Sequence, residues 1–186
     1  MKFKLKNYNC VTSTNDQAIR LIKRKIFSPR IIYANTQTKG RGTMGKKWIS
    51  KKGNLFLSIF FEIKSEKFNA KKFIKINTIL LKEIFQKYTE DKILIKFPND
   101  ILIKKRKLCG VLQEIIELNS RKFLIIGIGI NTIYAPKSKN FRSISLSSCS
   151  KFKITNKKIL KEIKSSYEKF VNNLYKDIYP NFNNII

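Results

Sequence analysis

The run KFLIIGIGI, at residues 122–130, limits what this chain can fold into more than any other segment. It is almost entirely apolar and β-branched, which is typical of a buried strand. A second run at residues 55–63, LFLSIFFEI, has the same character and adds aromatic side chains. Both strands need a core around them, and 42% hydrophobic residues in a chain of 186 are enough to build one within a single domain.

The rest of the pattern alternates helices with hairpin-connected strands. Apolar residues at helical spacing predict helices at 11–25, 69–87 and 159–174, and residues 143–148 favour a helical turn. Further β-prone segments lie at 30–34, 93–97, 101–104 and 108–117, with a basic hairpin tip at 105–107. We assign no element to the first ten residues. The pattern predicts an α+β fold, a mixed β-sheet with helices packed on one side.

The chain contains no histidine. This excludes Ser-His-Asp and Cys-His catalysis, His-ligated zinc and imidazole acid–base chemistry. Three cysteines without a C-x-x-C pair predict neither a disulfide framework nor a thiolate metal site, and we expect Cys109 to be a buried, inert thiol. No apolar segment resembles a signal-peptide core or approaches the ~20 residues of a membrane span, so we predict a cytoplasmic protein without membrane association.

Forty Lys and Arg against twelve Asp and Glu give a formal net charge of +28. One hypothesis from this charge is a nucleic-acid-binding module, which would be retained on DNA at physiological salt. The lysines, however, are spread from Lys2 to Lys176, and the aromatic side chains lie in apolar runs and not between the cations. A general lysine surface explains this distribution better. Its field should speed the encounter with anionic partners such as nucleotides or an acidic protein.

A polar segment without periodicity, residues 37–48 (QTKGRGTMGKKW), holds three of the seven glycines and the only tryptophan. Glycines this close together let backbone N–H groups approach an anion, and Arg41, Lys46 and Lys47 add charge that binds phosphate. The glycine spacing matches the dinucleotide fingerprint, but a strand follows where that fingerprint needs a helix, and the spacing of Walker A is absent. The segment predicts an anion-binding loop, with a plain flexible basic loop as the alternative.

A second polar cluster surrounds KFPND at residues 96–100. Simple turn chemistry explains Pro, Asn and Asp at a strand end. Asp100 is nevertheless one of only twelve acidic residues, and Lys107 across the predicted hairpin can face it and neutralise a reacting carboxylate or phosphate. We expect Glu114 to support the sheet or a charge network. The segment GIGIN at 127–131 lacks side chains at a strand end, which is typical of close approach by a ligand or another backbone.

Four motifs follow one another along residues 11–148: STN at 13–15, the loop Gln37…Gly40-Arg41-Gly42…Gly45…Trp48, KFPND with KLCGVL at 107–112, and GIGIN. In this combination the chain resembles the catalytic domain of biotin protein ligases, which has a class II aminoacyl-tRNA synthetase/biotin ligase-like fold. The resemblance implies that biotin and Mg-ATP give biotinyl-5′-AMP and pyrophosphate. The biotinyl group would then pass to one lysine of a biotin carboxyl carrier protein, chiefly that of acetyl-CoA carboxylase. ATP and biotin are the implied substrates, and Mg²⁺ the implied metal.

The resemblance also assigns roles to individual residues. The implied catalytic residues are Lys107, Arg41 and Asp100, and direct binding of Mg²⁺ by Asp100 is left open. The residues implied in biotin binding are Ser13, Thr14, Asn15, Gln37, Gly40, Arg41, Gly42, Thr43, Lys107, Gly110, Gly127 and Gly129. Those implied in nucleotide binding are Lys46, Trp48, Asn99 and Asn131. Cations and inward N–H groups suit this chemistry, because the biotin carboxylate is itself the nucleophile and two anions must meet.

Departures from the family pattern affect the expected function. Many family members carry an arginine where this chain has Thr43, which predicts a looser lid over the adenylate. We expect residues 1–186 to form a single catalytic domain without an N-terminal DNA-binding domain or a C-terminal β-barrel, a monomer or weak dimer with no specific DNA binding. The alternative activity is that of a lipoate or octanoate ligase or transferase of the same fold, although the Arg-Arg-x-Ser-Gly-Gly-Gly type of loop is absent here.

Overall fold

The computed structural model describes residues 1–64, 68–137 and 141–174. Its strands are β1 (Lys4–Val11), β2 (Arg30–Gln37), β3 (Leu55–Ile63), β4 (Ile93–Lys96), β5 (Asp100–Ile103), β6 (Arg106–Leu118) and β7 (Arg121–Ile130). Its helices are α1 (Thr14–Lys23), α2 (Ala70–Gln86) and α3 (Asn156–Leu174). A short 3₁₀ turn, Thr43–Gly45, lies in the loop between β2 and β3. None of the three described helices combines the length and apolarity that crossing a membrane requires.

The seven described strands form one sheet in the order β1-β2-β3-β7-β6-β5-β4. β1 and β2 are parallel, and the other neighbouring pairs are antiparallel. The two apolar runs pair directly at the centre of the sheet, with Leu55 opposite Ile130 and Ile63 opposite Lys122. The predicted α+β fold with a mixed sheet is confirmed.

Both faces of the centre of the sheet are buried. On β3, Ile59 and Phe61 pack into a large core with α2 and α3, whereas Phe60 between them packs with α1 in a smaller core. The expectation of helices on one side therefore applies to α2 and α3, while α1 covers the opposite face. The reason is visible in the sequence of β3, which is apolar at consecutive positions and so needs cover on both faces.

The first strand of the sheet lies within the ten residues to which the sequence pattern assigns no element. β1 is an edge strand with mostly exposed side chains, so it lacks an apolar run, and it is held by parallel pairing with β2. Because β1 extends to Val11, α1 begins at Thr14 and not at residue 11. Ser13 caps this helix by accepting a hydrogen bond from the backbone N–H of Asp16 at 3.5 Å.

The basic hairpin turns at Lys104 and Lys105, whose φ angles are +50° and +58°. Two successive left-handed residues are what a type I′ hairpin turn requires. Lys107 therefore lies in β6 and not at the hairpin tip. Ser143 forms a parallel bridge to Lys107, so residues 143–148 begin as a strand-like segment. A turn closes the segment, where the N–H of Cys149 donates to the carbonyl of Leu146 at 3.1 Å.

Candidate active site

A cleft opens over β6 and β7 at the point where Gly110 pairs with Gly129. The predicted site residues that line it are Ser13, Thr14, Asn15, Gln37, Arg41, Gly42, Thr43, Trp48, Asn99, Lys107, Gly110, Gly127 and Gly129. The sheet, the start of α1 and the loop between β2 and β3 thus bring most of the predicted site into one place.

Four predicted site residues do not line the cleft: Gly40, Lys46, Asp100 and Asn131. The side-chain amide of Asn131 is buried and donates to the backbone carbonyl of Lys107 at 3.1 Å, so it supports β6 from behind. Lys46 is exposed, and Gly40 is buried beneath the loop. Asp100 reaches the site through its ion pair with Lys107. The geometry therefore gives no direct support to a nucleotide contact by Asn131.

A network of polar side chains forms one wall of the cleft. The backbone N–H and hydroxyl of Thr14 both donate to Oε1 of Gln37, at 2.8 and 3.2 Å. The Gln37 amide then donates to Ser50 at 2.9 Å, and the Ser58 hydroxyl bonds both Thr14 and Asn15. Ser50 and Ser58 are absent from the predicted site. Ser58 could have been found, because it is the only uncharged polar residue in an otherwise apolar run and a buried hydroxyl needs partners.

Three glycines make room for side chains of the chain itself. A Cβ atom on Gly127 would lie 2.4 Å from Oδ1 of Asn15. On Gly129 and Gly110, a Cβ would lie 2.4 and 2.8 Å from the Trp48 indole. For Gly127 and Gly129 the sequence predicts close approach by a ligand or another backbone, whereas the structure places side chains there. The approaching groups are a wall amide and an indole ring, which the glycine pattern alone did not identify.

Lys107 and Asp100 form the ion pair that the sequence predicts, with 2.7 Å between Nζ and Oδ1. The Lys107 side chain is only 20% exposed. Its Nζ lies 5.4 Å from the centroid of the Trp48 ring and 5.6 Å from that of Phe141, a residue absent from the predicted site. Lys107 thus lies between aromatic faces, where water screens it weakly, while Asp100 offsets part of its charge.

The loop over the cleft is ordered by its own backbone. The N–H of Gly42 donates to the carbonyl of Lys46 at 2.7 Å, and the N–H of Trp48 donates to the carbonyl of Gly40 at 2.9 Å. At the tip, Met44 has a φ of +55° and is 92% exposed. These hydrogen bonds and a bridge between Arg41 and Lys47 place the segment next to Gly110 and Gly129, over which the Trp48 ring lies.

Arg41 projects from this loop and is held by two carboxylates. Its Nη1 and Nη2 atoms donate to the two oxygens of Glu114 at 2.8 and 2.7 Å, and Nη2 lies 2.9 Å from Oδ1 of Asp16. The hydrogen bonds to Glu114 raise the pKa of the Arg41 guanidinium. Glu114 therefore belongs to a charge network, as the sequence predicts, and Arg41 and Lys107 face one cleft.

Cys109 lies beside the site but does not take part in it. Its side chain is fully buried, and burial raises the pKa of the thiol far above its ordinary value, which agrees with the predicted inert role. Among the described residues, no group of three or more His, Cys, Asp or Glu side chains is placed to hold a metal ion. Arg41 and Lys107 both line the cleft, and each can contact an anion bound there.

This combination of fold and cleft defines the class of the protein. The structure matches the "Biotin protein ligase from Aquifex aeolicus in complex with biotin and ATP" with a TM-score of 0.78 and 26% identity, covering 96% of this chain and 75% of that one. A lipoate protein ligase from Thermoplasma acidophilum matches with a TM-score of 0.64 at 9% identity, covering 92% of this chain and 84% of that one, which is a likeness of fold alone. The fold is that of the catalytic domains of these ligases.

The chain belongs to the biotin/lipoate A/B protein ligase family, whose model matches residues 8–131. It is 36% identical over 123 residues to the bifunctional ligase/repressor BirA of Escherichia coli, an alignment that covers 65% of this chain and 38% of that protein. To BirA of Bacillus spizizenii it is 28% identical over 165 residues, covering 86% of this chain and 51% of that protein. The chain thus spans roughly 38 to 51% of the length of these two relatives.

Proposed function

We propose that the chain is an ATP-dependent biotin–[biotin carboxyl carrier protein] ligase that acts on acetyl-CoA carboxylase. The observation that carries this proposal is that Arg41 and Lys107 line the same cleft. Glycines of β6 and β7 and the polar side chains of the wall line it as well. Family membership and the likeness to a ligase that binds biotin and ATP support it. The free cysteines fit the cytoplasm, where we propose that the protein acts.

In the first step, a carboxylate oxygen of biotin attacks the α-phosphorus of ATP. A carboxylate–phosphorus bond forms, the bond to the β-phosphate oxygen breaks, and pyrophosphate leaves. No protein nucleophile or imidazole base is needed, which suits a chain without histidine and with a thiol of raised pKa at Cys109. The barrier is the repulsion between two anions, so the protein contributes by positioning them and stabilising their charge.

The described residues fit these tasks. Hydroxyl and amide groups of Ser13, Thr14 and Gln37 line the wall where the ureido ring of biotin would lie. Lys107 would contact the biotin carboxylate and the α-phosphate. Asp100 orients Lys107 through the 2.7 Å ion pair. Asp100, next to the cleft, would be the carboxylate that holds Mg²⁺, with ATP phosphates supplying further oxygen ligands, and the ion would neutralise phosphate charge.

In the second step, a neutral lysine amine of the carrier attacks the acyl carbon of biotinyl-AMP. A C–N bond forms, the C–O bond to the phosphate breaks, AMP leaves and the amine loses its proton to solvent. The mixed anhydride must be kept from water until the carrier arrives. The Trp48 ring, which lies over Gly110 and Gly129, and the loop that carries it supply that cover.

The proposal is tested by measuring pyrophosphate release from Mg-ATP with and without biotin. We expect release that requires biotin, and loss of most of it in Lys107→Ala. Removing a charge that contacts a developing anion costs about 2–4 kcal/mol of transition-state stabilisation, or roughly 30- to 1,000-fold in kcat/KM. Release by the wild type that is independent of biotin would contradict the proposal.

A matched control separates this effect from a general loss of charge. Lys122 is an exposed lysine at the opposite end of β7, and Lys122→Ala should retain activity. Parallel assays with lipoate and a lipoyl carrier distinguish the alternative ligase of the same fold. Activation of lipoate in preference to biotin would replace the biotin proposal with the lipoate one.

A further inference from the structure

β6 carries one residue more than β5 at the place where Lys107 reaches the cleft. Leu102 of β5 pairs with Lys107, but the residue before it, Ile101, pairs with Cys109, so Leu108 has no partner of its own in β5. An extra residue of this kind is a β-bulge. As a result, the consecutive side chains of Leu108 and Cys109 are both fully buried in the large core on the side of α2 and α3.

The bulge decides which way Lys107 points. Side chains of a regular strand alternate between the two faces of the sheet, so Lys107 would share a face with Cys109 and its ammonium group would lie in the apolar core. Because Leu108 is extra, Lys107 shares the opposite face with Gly110, and both line the cleft. On that face the ammonium group lies 2.7 Å from Oδ1 of Asp100.

Asn131, directly after β7, donates to both carbonyls that flank the extra residue. Its backbone N–H donates to the carbonyl of Leu108 at 2.9 Å, and its Nδ2 donates to the carbonyl of Lys107 at 3.1 Å. The Asn131 side chain is buried, and its Oδ1 accepts from the Asn54 amide at 3.5 Å. A bulge disrupts the ladder of backbone hydrogen bonds, so a carbonyl within it needs a donor from elsewhere.

We propose that Asn131 is a positioning residue, which fixes the bulge in β6 and thereby aims Lys107 at the anions bound in the cleft. The inference rests on the proposed function, because that function gives Lys107 its substrates. The role differs from the nucleotide contact that the family resemblance implies for Asn131. The two roles predict different results when no nucleotide is present.

The test uses Asn131→Leu, which is similar in volume, removes the amide and keeps the backbone N–H. Calorimetric titration with biotin alone measures the part of the site that Lys107 would contact. We expect the affinity for biotin to fall roughly tenfold, since the lost hydrogen bond lets the lysine leave its productive position. In biotin-dependent pyrophosphate release, kcat should fall by roughly 10- to 100-fold, because small displacements of a positioned group are costly.

A second measurement follows Lys107 itself and needs no substrate. The protein is labelled with an amine-reactive reagent, and the rate at Lys107 is read by mass spectrometry. In the wild type this rate should be low, because the side chain is 20% exposed and ion-paired to Asp100. Asn131→Leu should raise it. In a Lys107→Ala background, Asn131→Leu should weaken biotin binding little further, since Asn131 acts through the side chain that is already missing.

Two variants separate this role from a general structural defect. Asn77 is another buried asparagine, which donates to Gln113 at 3.1 Å and accepts from Tyr167 at 3.0 Å. Asn77→Leu should lower the Tm as Asn131→Leu does, but leave biotin affinity and the labelling of Lys107 unchanged. Asn131→Ala removes the amide without adding bulk, so it should reproduce both effects of Asn131→Leu if a clash of the leucine is not their cause.

The inference is overturned if folded Asn131 variants bind biotin and label at Lys107 as the wild type does, even where the KM for ATP rises. That result would leave only a nucleotide contact. Additive losses of biotin affinity in the double variant with Lys107→Ala would overturn it as well. A wild-type protein that does not bind biotin, but in which Asn131→Leu raises the labelling of Lys107, would contradict the proposed function while the control of Lys107 by Asn131 would stand.

Discussion

Thr43 stands at the edge of the cleft, where the family resemblance leads us to expect arginine. Its hydroxyl accepts a hydrogen bond from the Asn99 amide at 3.4 Å, a weak contact at the upper limit of hydrogen bonding. Thr43→Arg would add a planar cation with several donors beside the adenylate. We expect the release of biotinyl-AMP without carrier to slow by roughly tenfold, since a hydrogen bond to a charged group contributes about 1.5 kcal/mol or more.

Met44 provides the matched control for this substitution. It is the next residue in the same loop and is 92% exposed, so Met44→Arg adds the same charge outside the cleft. Trapping released biotinyl-AMP by chromatography compares the two variants. Equal release from Thr43→Arg and the wild type would contradict the lid argument, and slower release from Met44→Arg would attribute the effect to charge alone.

Site residues were predictable from the sequence where their residue type is rare in this chain. The Asp100–Lys107 ion pair and the charge network of Glu114 stand out in a chain with only twelve acids. Ser50 and Phe141 gave no such signal, because serine and phenylalanine occur throughout the chain and only the fold brings these two to the cleft. Motif order alone does not separate a side chain in the cleft from a buried support beneath it.

The glycines of β7 act on different parts of the site, and this difference is testable. Gly127→Ala places a methyl group 2.4 Å from the Asn15 amide, and Gly129→Ala places one 2.4 Å from the Trp48 ring. Overpacking of this kind typically costs about 1–3 kcal/mol. We expect Gly127→Ala chiefly to weaken biotin binding by roughly ten- to a hundredfold, and Gly129→Ala chiefly to displace Trp48.

The two alanine variants serve as controls for each other. Calorimetric titration measures the affinity for biotin and so reports on the polar wall. Acrylamide quenching measures the exposure of Trp48 and so reports on the loop. Because both glycines lie in one strand, a general effect on β7 would alter both measurements equally in both variants. That result would contradict separate roles for the two positions.

Elements whose apolar pattern matches their environment were predicted correctly. α2 falls within the predicted range, with Asn69 capping it by accepting from the N–H of Lys72 at 3.0 Å. β1 was not predicted, because an exposed edge strand is defined by its pairing partner and not by its own side chains. The hairpin turn was misplaced toward Lys107 because two lysines in the left-handed region give no glycine signal.

Apolar cores on both faces of the sheet hold its three described helices in place. The charged side chains lie outside these cores. The apolar centre of β3 and β7 made the sheet predictable. The face on which α1 packs was not predictable, because consecutive residues of β3 are apolar and both faces of the strand look alike in the sequence. Net charge says nothing about this arrangement. It does, however, act on the stability of the folded chain, because compaction brings like charges together.

A net charge of +28 on 186 residues should make the folded state more stable as salt is added. Between 20 and 300 mM KCl the screening length falls from about 20 Å to below 10 Å, which suppresses repulsion between lysines across the surface. We expect the free energy of unfolding to rise by about 1 kcal/mol and the Tm by about 2–4 °C, measured by thermal denaturation at several salt concentrations. The rise in Tm should level off near 300 mM KCl, where screening is nearly complete. Excluded solutes such as sucrose strengthen apolar burial in general, so in a parallel sucrose series the Tm should keep rising with concentration. A Tm that is unchanged or falls over the low-salt range would mean that ion pairs such as that of Arg121 with Glu62 outweigh the repulsion.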